Sequence, residues 1–139
     1  MKKQIYLLLF FVLAMCLSSS IKAQTVPIQS AGFSYVLTDP GFVSGDHYDV
    51  NIFLYDPSSG YIASQTQLIG TFYVPGAYSY VGNTIMFYMF QSNGYQVGLF
   101  VSKNDFPLGS QRNRVGLSGV LIPDANGVVH PSTINVASW

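Results

Sequence analysis

The acid–base repertoire of this chain is narrow. It has two histidines and six aspartates but no glutamate, and its only cysteine is Cys16. His47 and Asp49 are two residues apart, so on a strand they share one face and could form a couple for general acid–base hydrolysis. A hydrolase needs more than a couple. No Gly-x-Ser-x-Gly elbow, His-Glu-x-x-His pair or phosphate-cradling glycine loop occurs in the sequence, so nothing supplies a nucleophile or an orienting group. The expectation is a protein that is not an enzyme and uses no cofactor, with a hydrolase built on His47 and Asp49 kept as a second alternative. Asp39, Asp46 and Asp49, with Asn51 nearby, could offer oxygen ligands to calcium. Their spacing is not that of an EF-hand, and the turn Thr38-Asp39-Pro40-Gly41 explains Asp39 without an ion. No metal site is assigned.

Binding chemistry is better represented. Tyr78 and Tyr80 also stand two apart and point the same way on a strand, which suits stacking on a sugar ring or gripping a protein partner. Arg112 and Arg114 repeat that spacing, with Lys103 placed in the loop before them. Together they form a basic spot able to hold a carboxylate, phosphate or sulfate. The competing explanation is an edge strand guarded by charge.

Residues 1–23 read as a secretory signal peptide. Lys2 and Lys3 precede an apolar run over residues 5–17, too short to span a bilayer, and Ala23 offers a cleavage site ahead of Gln24. Cleavage for lipidation at Cys16 is the competing reading of Leu13-Ala14-Met15-Cys16. Removal of residues 1–23 takes away Lys2, Lys3 and Lys22. Three positive side chains then face six aspartates, a net charge of −3. That balance argues against nucleic acid as a partner. The remaining residues 24–139 contain no apolar segment long enough for a transmembrane helix, and they lack cysteine. An exported domain of this kind, periplasmic or extracellular, must hold itself together by burial.

The elements that would position these residues are strands. Residues 32–37 and 47–55 alternate, the latter with Tyr48, Val50, Ile52 and Leu54 on one face. Asp56-Pro57-Ser58-Ser59-Gly60 is a tight turn. Residues 61–74 form a long strand with a bend near Gly70, and residues 78–81 a short one. Residues 111–122 and 128–138 close the chain, with Gly116 and Gly119 marking a bulge or a close backbone approach. Between them, residues 84–101 read as a hairpin about Asn93-Gly94. That register pairs Phe90 with Val97, Tyr88 with Leu99 and Met86 with Val101, and assigns all six to the core face. Ile85, Phe87, Met89 and Phe100 then occupy a second apolar face. It is covered by the chain itself, lines a cavity, or forms a homo-oligomer interface.

Absence of helical periodicity and turn signals every 8–12 residues give an all-β, single-domain antiparallel β-sandwich of about seven to eight strands over residues 24–139. A small up-and-down β-barrel is the alternative. The functional expectation is a secreted binding or structural module that contacts glycans or a protein through surface tyrosines. Its first alternative is a small barrel carrying an apolar ligand.

Overall fold

The computed structural model describes residues 25–62, 66–81, 84–90 and 92–139; the expected signal peptide lies outside the described residues. The fold is all-β. Its strands are β1 (Thr25–Ser30), β2 (Phe33–Leu37), β3 (His47–Asp56), β4 (Tyr61–Ile62), β5 (Gln67–Phe72), β6 (Gly76–Tyr80), β7 (Ile85–Phe90), β8 (Gln96–Asn104), β9 (Gln111–Leu117), β10 (Val128–Val129) and β11 (Ile134–Val136). The eleven strands among the described residues exceed the expected seven or eight because two expected strands are each broken in two and residues 25–30, expected as an extended leader, form β1. Residues 61–74 yield β4 and β5, which take successive stretches of the same edge of β3. The register there shifts between Val50 and Asn51, opposite Gly70 and Leu68. The bend expected near Gly70 is this irregularity.

Two layers result. In the first, β1 and β2 follow one another along a central line. They are flanked antiparallel by β7 and β6, and parallel by β10 and β11. Gln29 faces Val128 and Tyr35 faces Ile134, the same offset along the chain, so β10 and β11 continue one parallel ladder across the break. These parallel pairs are a departure from the expected all-antiparallel arrangement. The second layer has the order β4/β5, β3, β8, β9, all antiparallel.

The layers share one core. Tyr48, Val50, Ile52 and Leu54 of β3 and Val97, Leu99 and Val101 of β8 are all fully buried, as their alternation required. They meet Phe33, Tyr35, Leu37, Ile85, Phe87, Met89, Ile134 and Val136 from the other layer. At one corner β9 comes against β11, where a Cβ on Gly116 would lie 2.6 Å from the Asn135 carbonyl oxygen. The close approach expected at Gly116 is therefore present, whereas Gly119 has nothing near it.

The expected β7–β8 hairpin does not form. β7 pairs with β1 in the first layer, and β8 lies between β3 and β9 in the second. The linking segment crosses from one layer to the other. Among the described residues no non-glycine has positive φ, and Gly94 is not among the positive-φ glycines, so Asn93-Gly94 does not make the type I′ turn. Instead the Ser92 hydroxyl donates to Asp56 at the end of β3 (2.9 Å), and Tyr95 pairs with Leu121. Separating the strands also uncouples their faces. Val97, Leu99 and Val101 point inward as expected, but β7 is inverted: Ile85, Phe87 and Met89 are buried while Met86 and Tyr88 are exposed. Parity carries across a hairpin turn; across a layer crossing nothing enforces it.

Candidate functional site

The densest chemistry lies where β8 ends. The core face of β8 runs Val97, Leu99, Val101 and then, in the same phase, Lys103, whose side chain is fully buried. A lone ammonium there would cost several kcal/mol. Lys103 Nζ instead meets three carboxylates: Asp39 Oδ2 at 2.5 Å, Asp46 Oδ2 at 2.9 Å and Asp105 Oδ1 at 3.2 Å. The sequence reading placed Lys103 in a loop as part of a surface basic spot; it is in β8 and inside the protein. The available signal was parity, since a lysine continuing the buried phase of a strand must bring counter-charges with it.

The loop between β2 and β3 delivers two of these. Asp39 Oδ1 accepts from Gly41 N, the local turn that Asp-Pro-Gly favours, which leaves Oδ2 to Lys103 and to the Tyr48 hydroxyl at 2.7 Å. Asp46 accepts backbone N–H bonds from Val43 at 2.9 Å and from Phe106 at 2.8 Å, so it ties this loop to the one after β8. Arg112 lies across from Lys103 in the β8–β9 register and clamps Asp105 with Nε and Nη2. Trp139 packs on Tyr48 with ring centres 5.3 Å apart, and the Lys103 ammonium stands 5.9 Å from the Tyr48 ring centre.

The titration directions follow from these contacts. Burial pushes the Asp39 carboxyl up, but the bonds from Lys103, Tyr48 and Gly41 outweigh it and hold the group below the usual carboxylate range. Asp46 behaves alike, with the Phe106 and Val43 amides and then Lys103 opposing burial. For Lys103 burial pulls downward and the three aspartates more than restore it, leaving its ammonium raised. Burial and the neighbouring Asp39 push the Tyr48 hydroxyl up. With Asp105 answered by Arg112, the two buried carboxylates Asp39 and Asp46 share one ammonium.

The other candidates are distributed differently. Asp39 and Asp46, weighed for calcium without a site being assigned, do converge, but on the Lys103 ammonium. Asp49 is elsewhere, accepting from Thr71 Oγ1 and Asn104 Nδ2. Among the described residues no group of His, Cys, Asp and Glu is arranged to hold a metal ion. His47 and Asp49 share no hydrogen bond, and the His47 ring stands beside Tyr73. Arg112 and Arg114 do not act together: Arg112 is on Asp105, whereas Arg114 donates to the Ser138 and Asn113 carbonyls.

Tyr78 and Tyr80 are half-buried. Tyr78 packs on Phe72 (4.2 Å) and Tyr35, its hydroxyl bonded to the Val74 carbonyl, and Tyr80 tilts against Phe33. Their paired, exposed presentation is not what the sheet provides. Of the four residues of the second hairpin face, Ile85, Phe87 and Met89 are core residues, and Phe100 is half-buried on the outer side of the second layer.

A third buried carboxylate, Asp56, closes the far end of β3. It takes Ser58 N and Oγ, Ser59 Oγ and Ser92 Oγ at 2.6–2.9 Å. Comparison with protein-family models, with curated proteins and with solved structures finds no match for this chain.

Proposed function

We propose that this chain is an exported, non-catalytic β-sandwich module that works by contact, in binding or in structure, with a glycan or a protein as partner. One observation carries this reading: an exposed apolar border on an unpaired edge. The β6–β7 side of the first layer has no neighbouring strand among the described residues. Along it Val81 is 81% exposed, Tyr88 66% and Met86 52%, with Tyr73 and Val74 exposed in the loop before β6. Unpaired strand edges and clustered apolar side chains are where chains meet partners. Asp49 and Asp56 are bonded to hydroxyl and amide donors and Lys103 to three carboxylates, and His47 and Asp49 do not form the couple that a hydrolase would need. The tyrosine surface first placed at Tyr78 and Tyr80 thus moves to Tyr88, on the exposed side of β7. Export rests on residues 1–23 as read from sequence, and no helix of the described residues is long and apolar enough to cross a membrane.

The test is retention of residues 24–139 on a panel of insoluble polysaccharides, alongside sedimentation to detect self-association. The same measurements follow on a Met86→Ser, Tyr88→Ser variant. The reading expects at least one interaction, weakened about tenfold, or 1.4 kcal/mol, in the variant at unchanged melting temperature. An interaction that persists undiminished removes the β6–β7 border from the account.

A further inference from the structure

We infer that Lys103 and Asp39 are the two halves of an intramolecular amide cross-link, with Asp46 as the proton carrier that makes it. Three conditions for acyl transfer from a carboxyl to an amine meet at this site. The reactants are in contact, Lys103 Nζ against Asp39 Oδ2, with both side chains fully buried. Held this way, the amine needs no encounter step and reaches the Asp39 Cγ one bond beyond the oxygen it touches. A base stands on the nucleophile: Asp46 Oδ2 lies 2.9 Å from the same nitrogen, and its side chain is 2% exposed. A donor stands on the oxygen that must leave, because the Tyr48 hydroxyl donates to Asp39 Oδ2 at 2.7 Å.

The step balances without any outside reactant. A proton passes from the ammonium to the Asp39 carboxylate, giving an amine beside a carboxyl group. Nζ attacks Cγ, and Asp46 takes a proton from the nitrogen and returns it to the departing oxygen. The C–O bond to Oδ2 breaks as the C–N bond forms, and one water leaves. Asp46 ends as it began, a carboxylate held by the Val43 and Phe106 amides, now beside the new amide N–H. The other Asp39 oxygen becomes the amide carbonyl and keeps its bond from Gly41 N.

The product removes one buried charge pair and leaves Asp46 to the Val43 and Phe106 amides. A fully desolvated ammonium and carboxylate are costly to keep apart from water, and the amide replaces both charges with a neutral group. The link would fasten the loop after β2 to the end of β8, joining the two layers covalently in a chain whose only cysteine, Cys16, cannot form an internal disulfide.

The experiment is intact-mass measurement on purified residues 24–139, followed by protease digestion and peptide sequencing by mass spectrometry. The inference expects a mass lower by one water and a branched peptide joining Asp39 to Lys103. Lys103→Arg keeps the positive charge but cannot form this bond, and Asp46→Asn removes the proton carrier; both should run at full mass with Lys103 or its replacement in linear peptides. The peptide readout matters because Gln24 at a new terminus can cyclise with loss of ammonia, a close mass. Lys103 recovered only in a linear peptide from the wild-type chain overturns the inference, whatever the intact mass. So does an undiminished branched peptide in Asp46→Asn, for the role given to Asp46.

Discussion

Strand β3 carries a buried carboxylate problem at each end, and the two ends solve it differently. At its C-terminal end Asp56 is satisfied by neutral donors, mostly from the turn that follows it. At its N-terminal end Tyr48 reaches Asp39, which with Asp46 is satisfied by an ammonium from β8. The first solution is local and adds no charge of opposite sign; burial pushes Asp56 up, but its hydroxyl and amide donors hold the carboxyl far below the usual range. The second is built from three parts of the chain and fails if any of them leaves. Hydrogen bonding to neutral groups distributes a cost among many donors. Ion pairing concentrates it on one residue.

Removing that one residue is the strongest way to break the comparison. Lys103→Met leaves Asp39 and Asp46 buried without a cation, and should cost about 3–5 kcal/mol in urea unfolding. Asp56→Ala takes one acceptor from several donors that can turn toward water or each other, so its cost should be smaller, about 1–3 kcal/mol. Equal losses at both ends would erase the distinction.

Proton titration sharpens it further. The Asp56 pKa is lower folded than unfolded, so its stabilisation is complete above the ordinary value of 3.8 and is lost as pH falls below it. Wild type and Asp56→Asn should therefore differ in unfolding free energy at neutral pH and converge in acid below 3.8. A difference that stays constant would mean that the carboxylate charge plays no part there.

The glycines give a finer comparison between layers. A Cβ on Gly116 meets the Asn135 backbone oxygen, so Gly116→Ala must shift β9 from β11 and should cost about 1–3 kcal/mol. A Cβ on Gly98 would fall 2.1 Å from the far end of the Phe53 ring, a buried side chain, which can yield more readily than the backbone oxygen that faces Gly116. Gly98→Ala should cost less than Gly116→Ala by thermal unfolding. Smallest of all is Tyr88→Ser, within about 0.5 kcal/mol in stability because its ring is exposed.

The same contrast explains what could be read from the sequence. Asp56-Pro57-Ser58-Ser59-Gly60 announces its turn, with Gly60 at φ +72° as the left-handed position requires, because donors and acceptor are neighbours. The inward phases of β3 and β8 were equally legible, since each buries one side of a regular strand. What escaped was whatever depended on distant partners. Lys103 and Asp39 are 64 residues apart, and only the continuation of the Val97, Leu99, Val101 phase hints that Lys103 goes inside. The hairpin at Asn93-Gly94 failed because local turn propensity gave way to pairing with β1 and β3, and Ser92 was drawn to Asp56. Tyr78 and Tyr80 have the spacing of a binding pair, yet the rings of Phe72, Tyr35 and Phe33 claim them first.

Lys103 is the group that holds the two layers together at this end, and a double-mutant cycle tests that most directly. Urea unfolding of wild type, Lys103→Met, Asp39→Asn and the double variant yields the coupling between the two positions. The account predicts a coupling of about 2 kcal/mol or more, with the double variant more stable than Lys103→Met alone. A Lys103→Met chain that fails to fold while the double variant folds gives the same answer. Effects that simply add would contradict it, and the cluster would then be several independent contacts rather than one joint.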